Sequence, residues 1–293
     1  MVGRALVPML CAALGGCAGA GAPRPESAAP PALVPGPVLL GAALAPPLRS
    51  PLAVAARGGE LYVLDAAAGV VRVDPHASRV TPILRRAFSP GAKLALDADG
   101  SFYVLEPASR RLQRFARDGR LLSSHGVDAT VGSLTGFALD PERGRIVALD
   151  SLHRQLVVFR PVGTFVNVPL RAEPRHAISA VSAIALGAGA IYAADPRCAC
   201  LARITPEGQV LGTFGHAAVR QPGQLAVDRY GRVLVFDHGD RRLKFFRGEQ
   251  LAAEIDLLRL GVTELSDFAL ADDWLYVADA PGAQVRLFRV LPP

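Results

Sequence analysis

An acidic residue that recurs every 41 to 45 positions is the feature that most constrains how this chain folds. In each copy the acid closes a short apolar run and an aliphatic residue stands six positions after it; in all copies but the first, Phe or Ile stands nine positions after it. The acids are Asp65, Glu106, Asp150, Asp195, Asp237 and Asp279. Because a fixed period of this length is the signature of a repeat architecture, the sequence predicts six copies of one structural unit.

The copy at residues 225–246, LAVDRYGRVLVFDHGDRRLKFF, shows what each unit contains. Its three apolar runs are separated by the turn-forming pairs Tyr230-Gly231 and His238-Gly239, which predicts three antiparallel strands. Candidate fourth strands follow three of the units, at residues 250–257, 209–214 and 163–170. Six units of four strands are typical of a six-bladed β-propeller, and we predict this all-β fold for residues 37–293.

The two ends of the repeat region complement each other. The last unit has no fourth strand after its third run at residues 285–290, whereas a strand-like run at residues 37–44, PVLLGAAL, precedes the first unit. We therefore predict a 3+1 closure, in which the run at residues 37–44 becomes the outer strand of the last blade. This closure would leave no open edge at the seam of the ring.

Residues 1–16 carry one charge and then an apolar stretch of about ten residues, which indicates a secretory signal and is too short for a membrane span. Residues 14–17, LGGC, resemble the lipobox of bacterial lipoproteins, which implies that Cys17 is lipidated and becomes the first residue. An ordinary signal peptide with an incidental cysteine is the alternative. The Ala-, Pro- and Gly-rich residues 17–36 are predicted to be a disordered tether. We expect an exported, lipid-anchored protein, on the outer membrane if the host has two membranes.

The repeat also resembles the NHL family of β-propellers, in which the acid is followed by a loop of the form x-x-Asn-x-Arg and then by an aliphatic residue and a Phe. The fifth unit matches best, with Asp240 and Arg242 at the Asn and Arg positions, and the second unit matches well, with Ser109 and Arg111 there. The first and last units depart from the loop pattern. The resemblance covers residues 37–291 and implies that the repeated acid and arginine are part of the framework.

Cys198 and Cys200 are the cysteines that remain if the signal is removed and Cys17 is lipidated. Free thiols are unusual in an exported protein, but a bridge across a single residue departs from the usual Cα spacing of disulfides, and strained bridges are the reducible ones. A disulfide within the loop, two inert thiols, and a metal or redox site therefore all remain open. No second cysteine pair or nearby histidine supports zinc.

The residues that open the inner strands surround the central channel of a propeller. Here they are Pro51, Lys93, Gly136, Ala183, Gln224 and Asp267. Among them Lys93, Gln224 and Asp267 are the candidate ligand-binding residues. One carboxylate is too few for an all-oxygen metal cage, and the six histidines lack metal-binding spacing. We predict no metal, no cofactor and no catalytic residue; the alternative is a metal-dependent hydrolase or lyase at the channel, as in the similar amidating lyases and lactonases.

Arginine supplies all but two of the 32 basic residues, and the net charge is +6. Two sets of loops at the channel mouth are rich in it: Arg110, Arg111, Arg154, Arg197, Arg241 and Arg242 in the first, and Arg85, Arg86, Arg171, Arg175, Arg220 and Arg259 in the second. Because its planar fork suits carboxylates and phosphates, we predict that this face binds an envelope protein or an anionic polymer. Framework roles, solvated loops or GC-rich coding are the alternatives. We expect no nucleic-acid partner, since the protein is exported, and a monomeric propeller.

Overall fold

The computed structural model describes residues 33–74, 79–140, 145–160, 164–187 and 189–292. The predicted signal peptide, Cys17 and most of the predicted tether lie outside the described residues. Within them the chain forms six four-stranded antiparallel sheets, and three short 3-10 helices lie at Gly41–Ala43, Pro174–His176 and Leu258–Leu260. This arrangement confirms the prediction of an all-β, six-bladed β-propeller.

The strands run in chain order as β1 (Leu33–Leu40), β2 (Pro51–Arg57), β3 (Glu60–Asp65), β4 (Gly69–Asp74), β5 (Arg79–Leu84), β6 (Lys93–Leu96), β7 (Phe102–Glu106), β8 (Arg111–Phe115), β9 (Leu121–Gly126), β10 (Leu134–Asp140), β11 (Arg145–Asp150), β12 (Gln155–Phe159), β13 (Phe165–Pro169), β14 (Ala183–Gly187), β15 (Ala190–Asp195), β16 (Cys200–Ile204), β17 (Val210–Phe214), β18 (Pro222–Val227), β19 (Val233–Asp237), β20 (Arg242–Arg247), β21 (Gln250–Asp256), β22 (Asp267–Ala271), β23 (Trp274–Asp279) and β24 (Gln284–Val290). Blades 1 to 5 are the successive quartets from β2–β5 to β18–β21. The inner strands, which surround the channel, are β2, β6, β10, β14, β18 and β22.

Blade 6 is closed by the N-terminal strand, as predicted, because its strand order is β1-β24-β23-β22. The bounds of the closing strand differ from the prediction: β1 spans Leu33–Leu40, whereas the sequence indicated residues 37–44. Four residues assigned to the tether therefore belong to the blade. Val34 pairs with Arg289 and Leu39 pairs with Val285.

Two local features explain the shift of β1. Pro35 and Gly36 resemble tether residues, but the register shifts between Pro35 and Val38, and an outer strand with a bulge tolerates Pro and Gly. Gly36 lies under Trp274, since a Cβ there would be 2.6 Å from its ring. After Leu40 the chain turns away into a 3-10 helix, and the Gly41 amide donates to the Ala283 carbonyl at 2.7 Å.

The hydrophobic core lies between the blades, all the way around the ring. Among the described residues it divides into six clusters, and each cluster joins two adjacent blades. The cluster at the seam, for example, packs Leu39 and Val285 of blade 6 against Leu61 and Val63 of blade 1. Strands covered on both faces explain why the middle runs are apolar without alternation. No helix among the described residues is long and apolar enough to span a bilayer.

Candidate functional site

The repeated aspartates tie five of the six blades together at the end where the inner strand begins. The Asp237 carboxylate accepts hydrogen bonds from the backbone N–H groups of Arg220 and Gln221, both at 2.8 Å, which precede β18, and from Gly239 at 3.0 Å in the turn after β19. The same carboxylate clamp is made by Asp65, Asp150, Asp195 and Asp279. All five side chains are fully buried. These acids are framework residues, in agreement with what the NHL resemblance implies.

The turn after each acid has one backbone conformation in all six blades. The fourth residue after the acid has a positive φ between 47° and 88°, which is the left-handed region; these residues are Gly69, Arg110, Arg154, Ala199, Arg241 and Ala283. Non-glycine residues rarely adopt this conformation. Three of the arginines that the sequence assigned to a binding surface thus occupy a fixed position of the framework turn.

Blade 2 departs from the clamp because its acid is a glutamate. The longer side chain of Glu106 is partly exposed and forms an ion pair with Arg86 at 3.2 Å. Arg86 in turn lies over the ring of Phe88, 4.5 Å from its centroid. Glutamate is one methylene longer than aspartate, and in blade 2 its carboxylate forms an ion pair at the surface where the other blades have a buried backbone clamp.

Hydrogen bonding sets the ionisation of the framework acids. Burial acts to raise the pKa of Asp150, but N–H groups of Ser133 and Gly132 and the side chains of Gln155 and His153 outweigh burial and hold it far below its usual range. The pKa values of Asp237 and Asp279 are lowered in the same way against burial. In blade 5 the buried ammonium of Lys244 contributes, with Nζ at 2.7 Å from Asp237. These carboxylates are ionised throughout the neutral range.

The arginines at this end of the propeller separate into two groups. Some are bound locally: Arg110 donates to the Asp128 carbonyl, Arg241 to the Thr263 carbonyl, Arg242 pairs with Glu254, Arg175 with Glu173 and Arg259 with Asp256. Others are exposed and form no side-chain hydrogen bond or ion pair within the described parts of the chain: Arg85, Arg111, Arg154, Arg171, Arg197 and Arg220. Only this second group is available to a ligand without breaking an existing contact.

A cavity of about 300 Å³ occupies the central channel and is lined by all six inner strands. Its walls are mostly alanine and leucine, and the candidate residues Lys93, Gln224 and Asp267 also line it. Lys93 Nζ and Asp267 Oδ1 are 3.6 Å apart, which joins blade 2 to blade 6 across blade 1. Among the described residues that line the cavity, blade 1 contributes no polar side chain, but its Val54 N–H donates to Asp267 at 3.4 Å. The structure corrects the prediction for Pro51, because the register shifts after it, so that Ala53 is the residue equivalent to Lys93 and Asp267.

His238 is a fourth polar residue of the mouth, although its place in the pair His238-Gly239 predicted only a turn. Its Nε2 lies 3.0 Å from Gln224 Oε1, and Gln224 Nε2 donates to the Ser266 carbonyl at 2.8 Å. His238 and Gln224 line an adjoining cavity of about 230 Å³, which also includes Lys93. A Cβ on Gly223 would be 2.4 Å from His238 Nε2, so the imidazole position depends on this glycine. We name Lys93, Gln224, His238 and Asp267 the mouth cluster.

Burial shifts the pKa values of two of these groups so that their uncharged forms are favoured. Burial raises the pKa of Asp267 above 3.8, and Lys93 and the backbone N–H groups of Val54 and Phe268 only partly offset this. Burial lowers the pKa of His238 below 6.5, with a further contribution from the Lys93 charge, against the influence of Asp237 and Glu264. Titratable groups shifted in this way are concentrated at functional sites in proteins.

Cys198 and Cys200 form a disulfide in the turn of blade 4. Their Cα atoms are 5.2 Å apart, which is within the usual range of disulfides, because the left-handed residue Ala199 folds the chain back between them. The prediction that this bridge would depart from the usual Cα–Cα spacing of disulfides is therefore wrong. Cys200 is buried and Cys198 is partly exposed.

Among the described residues no group of three or more His, Cys, Asp or Glu side chains is arranged to hold a metal ion. The mouth cluster offers one carboxylate and one imidazole, and an ammonium stands beside the carboxylate. Such a set suits a ligand with hydrogen-bonding and charged groups better than it suits a cation.

Comparison with known proteins supports the fold. No protein-family model matches the chain, and no curated protein matches it. Among solved structures, a protein of unknown function from Bacteroides thetaiotaomicron has a TM-score of 0.66 at 16% identity, over 83% of this chain and 70% of that one. A streptogramin B lyase has a TM-score of 0.62 at 12% identity, over 84% and 95%.

The virginiamycin B lyase from Staphylococcus aureus has a TM-score of 0.60 at 11% identity, over 83% and 96% of the two chains. At these identities the likeness extends to the fold alone. The chain is a six-bladed β-propeller whose structural neighbours include a lyase, and the NHL resemblance stays a prediction.

Proposed function

We propose that this chain is an exported, membrane-anchored binding propeller of the cell envelope, and that it takes its ligand at the channel mouth. The observation that carries this proposal is the mouth cluster, in which polar side chains from three blades meet over an apolar channel. A small number of convergent polar groups in an otherwise apolar cavity is typical of ligand sites.

The contacts within the mouth cluster support a binding role. The Val54 N–H donates to Asp267 at a long 3.4 Å, the Phe268 N–H contributes less than Val54 does, and Lys93 remains 3.6 Å away. Each framework aspartate, by contrast, accepts backbone bonds from both sides of its clamp. The Lys93 ammonium and the Asp267 carboxylate therefore retain bonding capacity that a ligand can satisfy.

The ligand is an anionic polymer or an acidic surface of an envelope protein. Lys93 supplies a cation inside the mouth, and the exposed guanidinium groups of Arg154 and Arg197 stand in the turns on the same end of the propeller. Free arginines donate paired hydrogen bonds to carboxylates and phosphates. They also attract an acidic ligand over a distance that depends on salt.

The anchor is part of the same proposal. Lipidation of Cys17 and a flexible tether would hold the propeller near a membrane while leaving its mouth free. Replacing Cys17 by serine is expected to release the protein into the soluble fraction with its melting temperature unchanged. Unaltered membrane fractionation of that variant would count against lipidation at Cys17.

Binding of labelled poly-glutamate, measured by fluorescence anisotropy at low and high salt, tests the basic surface. The double variant Arg154→Glu/Arg197→Glu is expected to bind about tenfold more weakly or worse. The matched control is Arg203→Glu/Arg247→Glu, because both of these arginines are exposed and stand near the opposite end of their strands. Equal losses in the two variants would reduce the effect to net charge and contradict a basic binding surface.

A lyase or hydrolase at the channel is the second candidate. It is favoured by His238 and Asp267, because burial raises the pKa of Asp267 and lowers that of His238, which favours a neutral imidazole able to accept a proton. It is also favoured by the lyases among the structural neighbours, one of which is a catalytically inactive variant solved with quinupristin. Metal analysis of the purified protein, together with quinupristin turnover by wild type and His238→Ala, separates the two candidates. Bound metal and turnover that depends on His238 would support catalysis. The absence of both metal and turnover would support the binding role.

A further inference from the structure

We propose that the Cys198–Cys200 disulfide is a thiol–disulfide exchange site that accepts electrons from a dithiol, and that it is not a structural bridge of the fold. The inference rests on the turn that holds the pair and on the different exposure of the two cysteines. It is independent of which ligand the mouth cluster binds.

The turn of blade 4 does not need the disulfide to adopt its shape. The five other blades make the same left-handed turn at the equivalent position without cysteines, for example at Arg154 and Arg241. In blade 4 the Asp195 carboxylate already fixes the turn, because it accepts hydrogen bonds from the backbone N–H groups of Arg197 at 2.8 Å and Cys198 at 3.3 Å. The repeat thus provides an internal control for the effect of the disulfide.

The disulfide also constrains very little of the chain. A bridge stabilises a protein mainly by restricting the unfolded chain, and this effect grows with the length of the closed loop. Here the closed loop contains Ala199 as its single intervening residue. The blade gains little stability from such a short closure, and a purely structural role leaves the pair unexplained.

The two cysteines differ in exposure. Cys200 begins β16 and is fully buried, whereas Cys198 is partly exposed, with its Sγ 3.6 Å from the Asp195 carbonyl oxygen. We therefore assign Cys198 as the cysteine that an incoming thiolate attacks. Its attack forms a mixed disulfide with Cys198 and breaks the Cys198–Cys200 bond, and the bonding pair leaves on Cys200 Sγ, which takes up a proton.

The second thiol of the reductant then completes the exchange. This second thiol attacks the reductant's first sulfur, which is bonded to Cys198 in the mixed disulfide. The reductant then leaves as a disulfide, and Cys198 is released as a thiol. One disulfide is reduced and one dithiol is oxidised, which balances two electrons and two protons. The neighbouring Pro196 lines the cavity beside His238, so a partner docked at the mouth lies next to Cys198.

Exchange with dithiothreitol, in the chain carrying Cys11→Ser and Cys17→Ser, tests whether the native fold permits reduction. We expect millimolar dithiothreitol to add two hydrogens to the intact mass without denaturant and to shift the melting temperature by less than about 2 °C. Reoxidation should restore the original mass. Reduction only after unfolding, or a large fall in melting temperature on reduction, would overturn the proposal.

Single cysteine variants in the same background test which sulfur is attacked. Incubated with glutathione disulfide, Cys200→Ser is expected to gain one glutathione on Cys198 in the native state. The matched variant Cys198→Ser should gain none until it is denatured, because Cys200 is buried. Equal labelling of the two native variants would contradict the assignment of Cys198 as the attacked residue.

Discussion

Asp237 and Asp267 are carboxylates at the same end of the propeller, and their surroundings differ. Asp237 is fully buried, accepts three backbone N–H bonds and pairs with the Lys244 ammonium at 2.7 Å. Asp267 is also largely buried, but its closest backbone donor, the Val54 N–H, is 3.4 Å away and its partner Lys93 is 3.6 Å away. The pKa is lowered against burial in the first and raised by burial in the second.

This contrast separates framework from site. A carboxylate whose bonding capacity is filled by the backbone stabilises the fold in its charged form. A carboxylate that is buried with few partners costs stability when it ionises, and such groups persist in proteins where they interact with ligands or protons. Mutation of a framework aspartate should therefore lower the stability of the fold, whereas mutation of Asp267 should impair function.

The largest effect is expected from removing the strand that completes the blade of Asp267. Deletion of residues 1–40 removes β1 with its hydrogen bonds to β24 and the buried Leu39, at a cost of about 5 kcal/mol or more. Deletion of residues 1–32 leaves β1 intact and should leave the free energy of unfolding unchanged. Equal denaturant midpoints for the two truncations would contradict the 3+1 closure.

The next largest effect is expected at a framework acid. Asp150→Ala leaves the N–H groups of Gly132 and Ser133 without their acceptor, and the loss should be about 4 kcal/mol in urea unfolding. The control is Glu106→Ala, which removes only the exposed pair with Arg86 and should cost less than about 1 kcal/mol. Similar losses of unfolding free energy in Asp150→Ala and Glu106→Ala would contradict a special stabilising role of the aspartate clamp.

The two lysines of the chain give a matched pair for the same contrast. Lys244→Met removes the buried partner of Asp237 and Asp240 and is expected to cost about 3 kcal/mol, because a buried charge is left uncompensated. Lys93→Met should cost less than about 1 kcal/mol, since Asp267 can take up a proton instead. Thermal unfolding of both variants at pH 7 checks the difference, and a larger loss at Lys93 would place it in the framework.

The sequence was sufficient for the repeat and not for the contacts between repeats. The spacing of the acids predicted six blades and placed the acids at the end of the propeller where the inner strands begin. This was possible because hydrophobic periodicity and turn residues are local properties of the chain. His238 was not recognised as part of the mouth, since its position depends on Gly223 and on Gln224 across the turn. Pro51 was placed incorrectly because a shift in strand register leaves no periodic signal.

The arginines illustrate the same limit. Composition indicates a basic face, but it does not distinguish Arg241, which donates to the Thr263 carbonyl, from Arg154, which is exposed and has no side-chain partner in the described chain. The left-handed turn that Arg110, Arg154 and Arg241 share is likewise not encoded by residue type. Arg154 and Arg241 follow an aspartate that makes the clamp, whereas Arg110 adopts the same conformation after Glu106, which pairs with Arg86 instead.

The free energy of unfolding of Asp267→Asn against wild type, measured in urea from pH 4 to pH 8, tests most directly whether Asp267 belongs to a site. Because its pKa is raised above 3.8 in the folded protein, its contribution to stability is fully present below the unfolded pKa and is lost as the pH rises through the folded pKa. The variant should match wild type at pH 4 and be equally or more stable, by up to about 1 kcal/mol, at pH 8. A variant that is clearly less stable than wild type at pH 8 would contradict this assignment and make Asp267 a framework residue.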